Sequence, residues 1–179
     1  MVQLIDLYAE HFDPTYSAEE LSLYHQGGTV DPLVRKYLEL LKSCRTVIFI
    51  TPCWWNGIPG MLKGVIDKVM KEGPDLSHTV TRTGIKGLLT NVQHCYVLTT
   101  STSPTWYLRF FCGDDIQRVF VNTTLKQLGF ELGSGLTLAG FPGHPRNAAK
   151  VICKKLPNID LSKMVNTIKK LLKLWINVQ

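Results

Sequence analysis

Two stretches of the chain hold the residue types that could do chemistry together. One is Thr51-Pro52-Cys53-Trp54-Trp55-Asn56-Gly57-Ile58-Pro59-Gly60; the other is Thr99-Thr100-Ser101-Thr102-Ser103-Pro104-Thr105-Trp106-Tyr107. The first follows the apolar run Thr46 to Ile50, and the second grows out of the run Cys95 to Thr100. In the first, free backbone N–H groups lie beside two large aromatic faces. Gly57 lets the backbone approach a ligand there, and Pro59 opens a helix whose positive N-terminal end faces the same space. The second is dense in hydroxyl donors and adds the aromatic surface of Trp106 and Tyr107. Such a pair of loops suits a flat heterocycle with polar edges, its plane stacked on rings and its edges hydrogen-bonded to backbone. Packing of Trp54 and Trp55 on a neighbouring subunit is the other use open to these side chains.

Other chemistry has little support. The chain contains no G-x-G-x-x-G, no G-x-x-x-x-G-K-[ST], no H-E-x-x-H and no G-x-S-x-G. Its histidines (His11, His25, His78, His94 and His144) lack metal-ligand spacing, so no metal is expected. Cys53 has no His or Lys nearby in sequence to activate it and reads as structural. Cys44, Cys53, Cys95, Cys112 and Cys153 are odd in number and contain no C-x-x-C, which argues for reduced thiols in a cytoplasm.

The first residues, MVQLIDLYAEHFD, have neither the basic nor the apolar region of a secretory signal. No apolar run reaches the roughly 18 residues of a membrane span. The formal net charge of +6 gathers towards the C-terminus, at Lys150, Lys154, Lys155, Lys163, Lys169, Lys170 and Lys173. A solvated helix face accounts for such a run, and attraction of anionic ligands such as nicotinamide dinucleotides is the alternative. No aromatic–basic interleaving points to nucleic acid.

The elements that must position the two loops alternate. A strand is expected over Val2 to Tyr8, followed by a long polar connection to Val30. Asp31-Pro32 then supplies an N-cap and a first-turn proline for an amphipathic helix with Val34, Tyr37, Leu38 and Leu41 on one face. Thr46 to Ile50 reads as a strand buried on both faces of a parallel sheet. From Pro59 a second helix turns Met61, Leu62, Val65, Ile66, Val69 and Met70 inward, with Lys63, Asp67 and Lys71 on its other side and Gly73 as its stop. A loop containing Gly73, Pro74 and Gly84 leads to the strand Cys95 to Thr100 and a polar turn. Asp114 to Leu128 is expected to be helical, with Ile116, Val119, Phe120, Leu125 and Leu128 apolar; Leu136 to Ala139 reads as a further strand. An amphipathic helix over about 160–177 ends the chain. The pattern is that of one α/β domain, residues 1–179, with a mainly parallel sheet. In such sheets ligands sit beyond the carboxyl ends of the strands, where both loops lie.

At these residues a family resemblance appears. Pro52 to Val69, PCWWNGIPGMLKGVIDKV, resembles the P-x-[WY]-W-x-x-x-P-x-x-L-K segment of flavodoxin-like NAD(P)H:quinone oxidoreductases. This group includes DT-diaphorase, bacterial modulator-of-drug-activity and general-stress quinone reductases, and potassium-efflux ancillary proteins. Thr99 to Tyr107 is similar to the family's second flavin loop, and Asp6-Leu7-Tyr8 with Phe12-Asp13-Pro14 to its second strand and following loop. The likeness covers roughly residues 1 to 145 and implies a flavodoxin-like three-layer sandwich. It also implies a flavin, FMN or FAD, bound by Pro52, Cys53, Trp54, Trp55, Asn56, Gly57, Thr99, Thr100, Ser101 and Thr102, with Tyr107 as proton donor near the hydride-transfer face. NAD(P)H would give a hydride to the flavin and leave before a quinone takes two electrons from the same space. Family members are homodimers.

The sequence departs from that pattern at three places. Met1 aligns with the start of the family's second strand, so the first strand and its I-x-x-A-H-P phosphate loop have no counterpart here. Ser101-Thr102 stands where the family has a glycine pair. Cys112-Gly113-Asp114 occupies the region of an assisting histidine. The first departure supports the alternative expectation, a non-catalytic regulatory or ancillary subunit with a membrane-transporter partner.

Overall fold

The computed structural model describes residues 2–131 and 137–138. Along the chain these form α1 (Ala18–Ser22), α2 (Pro32–Ser43), β1 (Thr46–Pro52), α3 (Gly60–Val69), β2 (His78–Thr81), β3 (Gly84–Gly87), β4 (His94–Thr100), α4 (Thr105–Phe111), α5 (Ile116–Leu125) and β5 (Thr137–Leu138). β1, β4 and β5 make a parallel sheet in that order, while β2 and β3 form a separate antiparallel hairpin. The pairing of β1 with β4 runs in register from Thr46↔His94 to Pro52↔Thr100. Their β-branched, apolar sequences suit a sheet, but only β4 is largely buried. Thr46 to Ile50, expected to be buried on both faces, are half-buried in β1, which is an edge strand among the described residues. The helix expected over about 160–177 lies outside the described residues.

α2 and α3 follow their sequence signals. The Asp31 carboxylate accepts the Leu33 N–H at 2.9 Å, and Pro32 occupies the first turn of α2. Val34, Tyr37 and Leu38 are buried, as are Leu62, Val65, Ile66 and Val69 of α3. At the other end of α2, the Asn91 side chain donates to the carbonyls of Leu41 and Cys44 at 2.8 and 2.6 Å. It thereby satisfies two of the acceptors that a helix end leaves open.

Several expectations are corrected. No strand forms over Val2 to Tyr8, because Asp6 turns the chain. Its carboxylate accepts the N–H groups of Tyr8 and Ala9, and its carbonyl accepts that of Glu10. Such local side-chain bonds compete with a ladder. Val2, Leu4 and Tyr8 are left exposed, while Ile5 and Leu7 pack on the core.

The connection to Val30 contains α1, whose Ser17 side chain accepts the Glu20 N–H at 3.1 Å; the S-x-x-E spacing was the available signal. The loop around Gly84 contains the β2–β3 hairpin, and the region after Pro104 contains α4. α5 is wide, with hydrogen bonds of π type. The Thr123 and Thr124 hydroxyls donate five residues back, to the carbonyls of Arg118 and Val119. Its buried positions are therefore Ile116, Phe120, Val121 and Leu125, four or five apart, and Val119 stays exposed where a 3.6-residue period had placed it inside.

Lys71, just past the end of α3, is the largest correction to the face expected to be solvated. It is 1% exposed rather than solvated, and Lys68 beside it is 3% exposed. Both lysines hold the segment that precedes α2. Lys68 donates to the Asp13 carbonyl at 2.9 Å, pairs with Asp31 at 3.4 Å and sits over the Phe12 ring. Lys71 lies 3.8 Å from Glu20, an ion pair too long for a hydrogen bond, and over the Tyr16 ring. The remaining Glu20 oxygen accepts from Thr29 Oγ1 and from the N–H groups of Val30 and Asp31. Gly64 lets this segment cross α3, since a Cβ there would come within 2.3 Å of Pro14.

Burial alone would raise the Glu20 carboxyl. The three hydrogen bonds, with Lys71 adding, instead hold it below its ordinary value of 4.5, and burial lowers Lys71. A depressed carboxyl stabilises the fold above its unfolded pKa, and that share is lost as pH falls through the folded value. Glu20→Gln should leave Lys71 a buried unpaired cation and lose about 3 kcal/mol in urea unfolding at neutral pH. The gap between wild type and variant should narrow below pH 4.5.

Candidate active site at the carboxyl edge of the sheet

The parallel register brings the two loops together. Pro52 and Thr100 are the last paired residues, and the Cys53 N–H extends the ladder by one bond, 2.7 Å to the Thr100 carbonyl. Everything that follows in both strands therefore leaves the same edge. Thr51 and Thr99 sit opposite each other and are buried, at 6% and 2% exposure.

Beyond Cys53 the chain makes a tight turn. Trp54 and Gly57 exchange both backbone hydrogen bonds at 3.0 Å, and Trp55 and Asn56 between them are left-handed, with φ of 49° and 69°. Two left-handed central residues define a type I′ turn, where asparagine and glycine are favoured and a large side chain is strained. Trp55 adopts this backbone with its side chain 97% exposed, so no contact within the described residues repays the strain. Trp54 is half exposed.

The second loop is tied to the first through Ser101. Its buried hydroxyl accepts the Ser103 N–H at 3.0 Å and bonds the Cys53 thiol. Burial raises that thiol, so Cys53 is a neutral packing group at neutral pH, consistent with the structural reading. The backbone N–H groups of Trp55, Ser101 and Thr102 make no hydrogen bond to a described residue. Pro104 then precedes α4, which groups three rings: Tyr107 stacks on Phe111 at 5.7 Å, and Trp106 stands edge-on to both. Trp106, Tyr107, Phe110 and Phe111 are all exposed.

Pro52, Cys53, Trp54, Trp55, Asn56, Gly57, Thr99, Thr100, Ser101 and Thr102 thus cluster at one sheet edge, with Tyr107 on the helix that follows. Thr99 points inside rather than into open space. Sequence reasoning missed Phe110, Phe111 and Asp115. Pro104 was a signal for the start of α4, but a seven-residue helix offers too short a period to recognise. The aromatic walls and open N–H groups fit a flat ring system with polar edges.

A parallel sheet with aromatic, hydroxyl-lined loops at its carboxyl edge places the chain in the open-sheet α/β class, whose ligands sit beyond the strand ends. Within that class, a family model described as a flavodoxin-like fold matches residues 1–154, and the chain belongs to this family. It is 25% identical over 126 residues to an uncharacterized NAD(P)H oxidoreductase of Haemophilus influenzae, covering 70% of this chain and 61% of that protein. It is 27% identical over 118 residues to NAD(P)H dehydrogenase [quinone] 1 of Rattus norvegicus, covering 57% of this chain and 42% of that one. The chain thus spans less than two thirds of the length of these relatives. Among solved structures, the NAD(P)H:quinone oxidoreductase of Methanothermobacter marburgensis shares the fold, with a TM-score of 0.69 at 20% identity over 85% of this chain and 77% of its own. Among the described residues no helix is long and apolar enough to cross a membrane.

The turn geometry makes Trp55 a residue whose removal should stabilise the chain. Trp55→Asn relieves the left-handed strain and loses no packing, so it should raise unfolding stability by about 1 kcal/mol in urea titration.

Proposed function

We propose that this protein is a flavin-dependent NAD(P)H oxidoreductase that passes two electrons to a quinone. The observation that carries the reading is the Pro52↔Thr100 pairing, which sets two aromatic, donor-bearing loops side by side at the carboxyl edge of a parallel sheet. The family match and the names of the curated relatives support it.

A bound flavin, FMN or FAD, would supply hydride chemistry between NAD(P)H and the acceptor. In this reading the backbone of Pro52, Cys53, Trp55 and Asn56 holds one edge of the ring, and Trp54 and Gly57 fix the turn that presents it. Thr100, Ser101 and Thr102 line the other edge, and Thr99 supports them from inside the sheet. Trp55 offers a face on which a planar acceptor can stack. Tyr107 holds a proton near the reacting edge. The exposed aromatics of α4 and the Trp54–Trp55 turn fit burial against a second copy of the chain, so a homodimer belongs to the same reading. A reducing compartment such as the cytoplasm would be its setting.

One observation favours a second reading, an ancillary subunit without turnover. The edge of β1 opposite β4 carries no strand among the described residues, and such an edge accepts another chain. The two readings separate on one sample. Purified protein mixed with FMN or FAD and passed through a desalting column should retain the flavin absorbance and then oxidise NADH or NADPH when a benzoquinone is added. No retained flavin and no oxidation would sink the first reading, while flavin retention without oxidation would favour the second. Tyr107→Phe should keep the flavin and lower kcat by at least about tenfold.

A further inference from the structure

Among the charged groups around the two loops, Asp115 is the one whose carboxylate has no partner among the described residues. It stands immediately before α5 yet makes no capping hydrogen bond. Two of the charged groups near it are engaged, and Arg118, three residues on, forms no ion pair with it. The Asp114 N–H donates to the Leu108 carbonyl at 3.0 Å, and the Asp114 carboxylate lies 3.8 Å from Arg109 Nε, which matches the cation of α4. Lys63, the exposed cation at the start of α3, is paired with Asp67.

The backbone aims Asp115 at the first loop. Gly113 and Asp114 are both left-handed, at φ of 77° and 54°, and turn the chain back after α4. A Cβ built on Gly57 would stand 3.1 Å from Oδ2 of Asp115. The same carboxylate adds the smallest of the influences on the Cys53 thiol, after burial, the Asn56 N–H, Cys112 and Ser101. An unmatched negative charge therefore rests on the turn that carries Trp54 and Trp55.

Ring faces carry negative quadrupoles and attract cations, and a carboxylate beside them adds to that preference. We propose that Asp115 makes this site select planar aromatic cations as electron acceptors over anionic ones of similar size. This rests on the reductase reading above. With a phenothiazinium acceptor the electrons balance simply. NAD(P)H gives up one hydride, two electrons and a proton, leaving NAD(P)+, and the monocationic dye gains it to become the neutral leuco form. An exposed charge at this range is worth about three- to tenfold in each acceptor's affinity.

The test compares wild type, Asp115→Asn and Asp115→Glu at low salt, using a phenothiazinium dye, an uncharged benzoquinone and a sulfonated naphthoquinone. Variant-to-wild-type ratios cancel the different reduction potentials. Asp115→Asn should lower the cation-to-anion ratio of kcat/KM by about tenfold, whatever common change the uncharged quinone reports, and abolish the salt dependence of that ratio. Asp115→Glu should keep the wild-type ratio. An unchanged ratio in Asp115→Asn, or an equal loss for all three acceptors, would overturn the inference. Quenching of tryptophan fluorescence by the same compounds reads binding without turnover. If the dye's affinity falls selectively in Asp115→Asn while NAD(P)H is not oxidised, the reductase reading fails and the charge selection stands; if no selective fall is seen, the charge selection fails.

Discussion

The parallel ladder between β1 and β4 is the constraint on which the rest of the described structure depends. Parallel strands point their carboxyl ends the same way, so a register that ends at Pro52↔Thr100 obliges both following segments to leave one edge together. The Cys53–Thr100 bond and the Ser101–Cys53 contact extend that order into the loops themselves. Slipping the ladder by one residue would exchange the faces of every β1 side chain, including Phe49, which now stands edge-on to Phe120 of α5. The site is thus a consequence of strand pairing, with the loops adding only the groups they present.

A second set of interactions fixes what packs on α3. Lys68 and Lys71 are apolar for most of their length and can lie among buried side chains, provided their ends find partners. Those partners come from Asp13, Glu20 and Asp31, all in the segment before or at the start of α2. Glu20 in turn gathers Thr29, Val30 and Asp31, so the polar connection is organised around buried charges rather than around an apolar stripe. Removing one member of such a network leaves another buried and unpaired, which is why these residues act as a unit.

The loop at 53–57 shows the opposite balance. Its backbone is strained at a bulky residue whose side chain is almost wholly exposed, and neither local preference nor packing within the described residues accounts for it. Strained backbone of this kind clusters at ligand-binding and active sites. The exposed rings of α4 leave the same edge, and the carboxylate of Asp115 rests on this turn. Together they make a surface that is aromatic, donor-bearing and negatively charged at one point.

Much of this was legible beforehand. Thr46 to Ile50 and Cys95 to Thr100 declare themselves as strands because β-branched runs fit a sheet, and Asp31-Pro32 declares a helix start because both residues satisfy its first turn. The loop residues from Pro52 to Gly57 and from Thr99 to Thr102 were identifiable because their types are unusual in those positions. Where reading failed, a distant or competing interaction decided. Asp6 bent a strand-like run by bonding its own neighbours; α5 widened, moving Val119 out and Val121 in; and Lys71, indistinguishable in sequence from a surface lysine, went inside because Glu20 was there to meet it. The sequence by itself determined the principal strands β1 and β4, the helices α2 and α3, and which loops could present rings and donors, since periodicity and residue type are local properties. Only the tertiary structure decided which charges are buried, which carboxylate stays unmatched and which rings share an edge, since these depend on contacts between segments far apart in the chain.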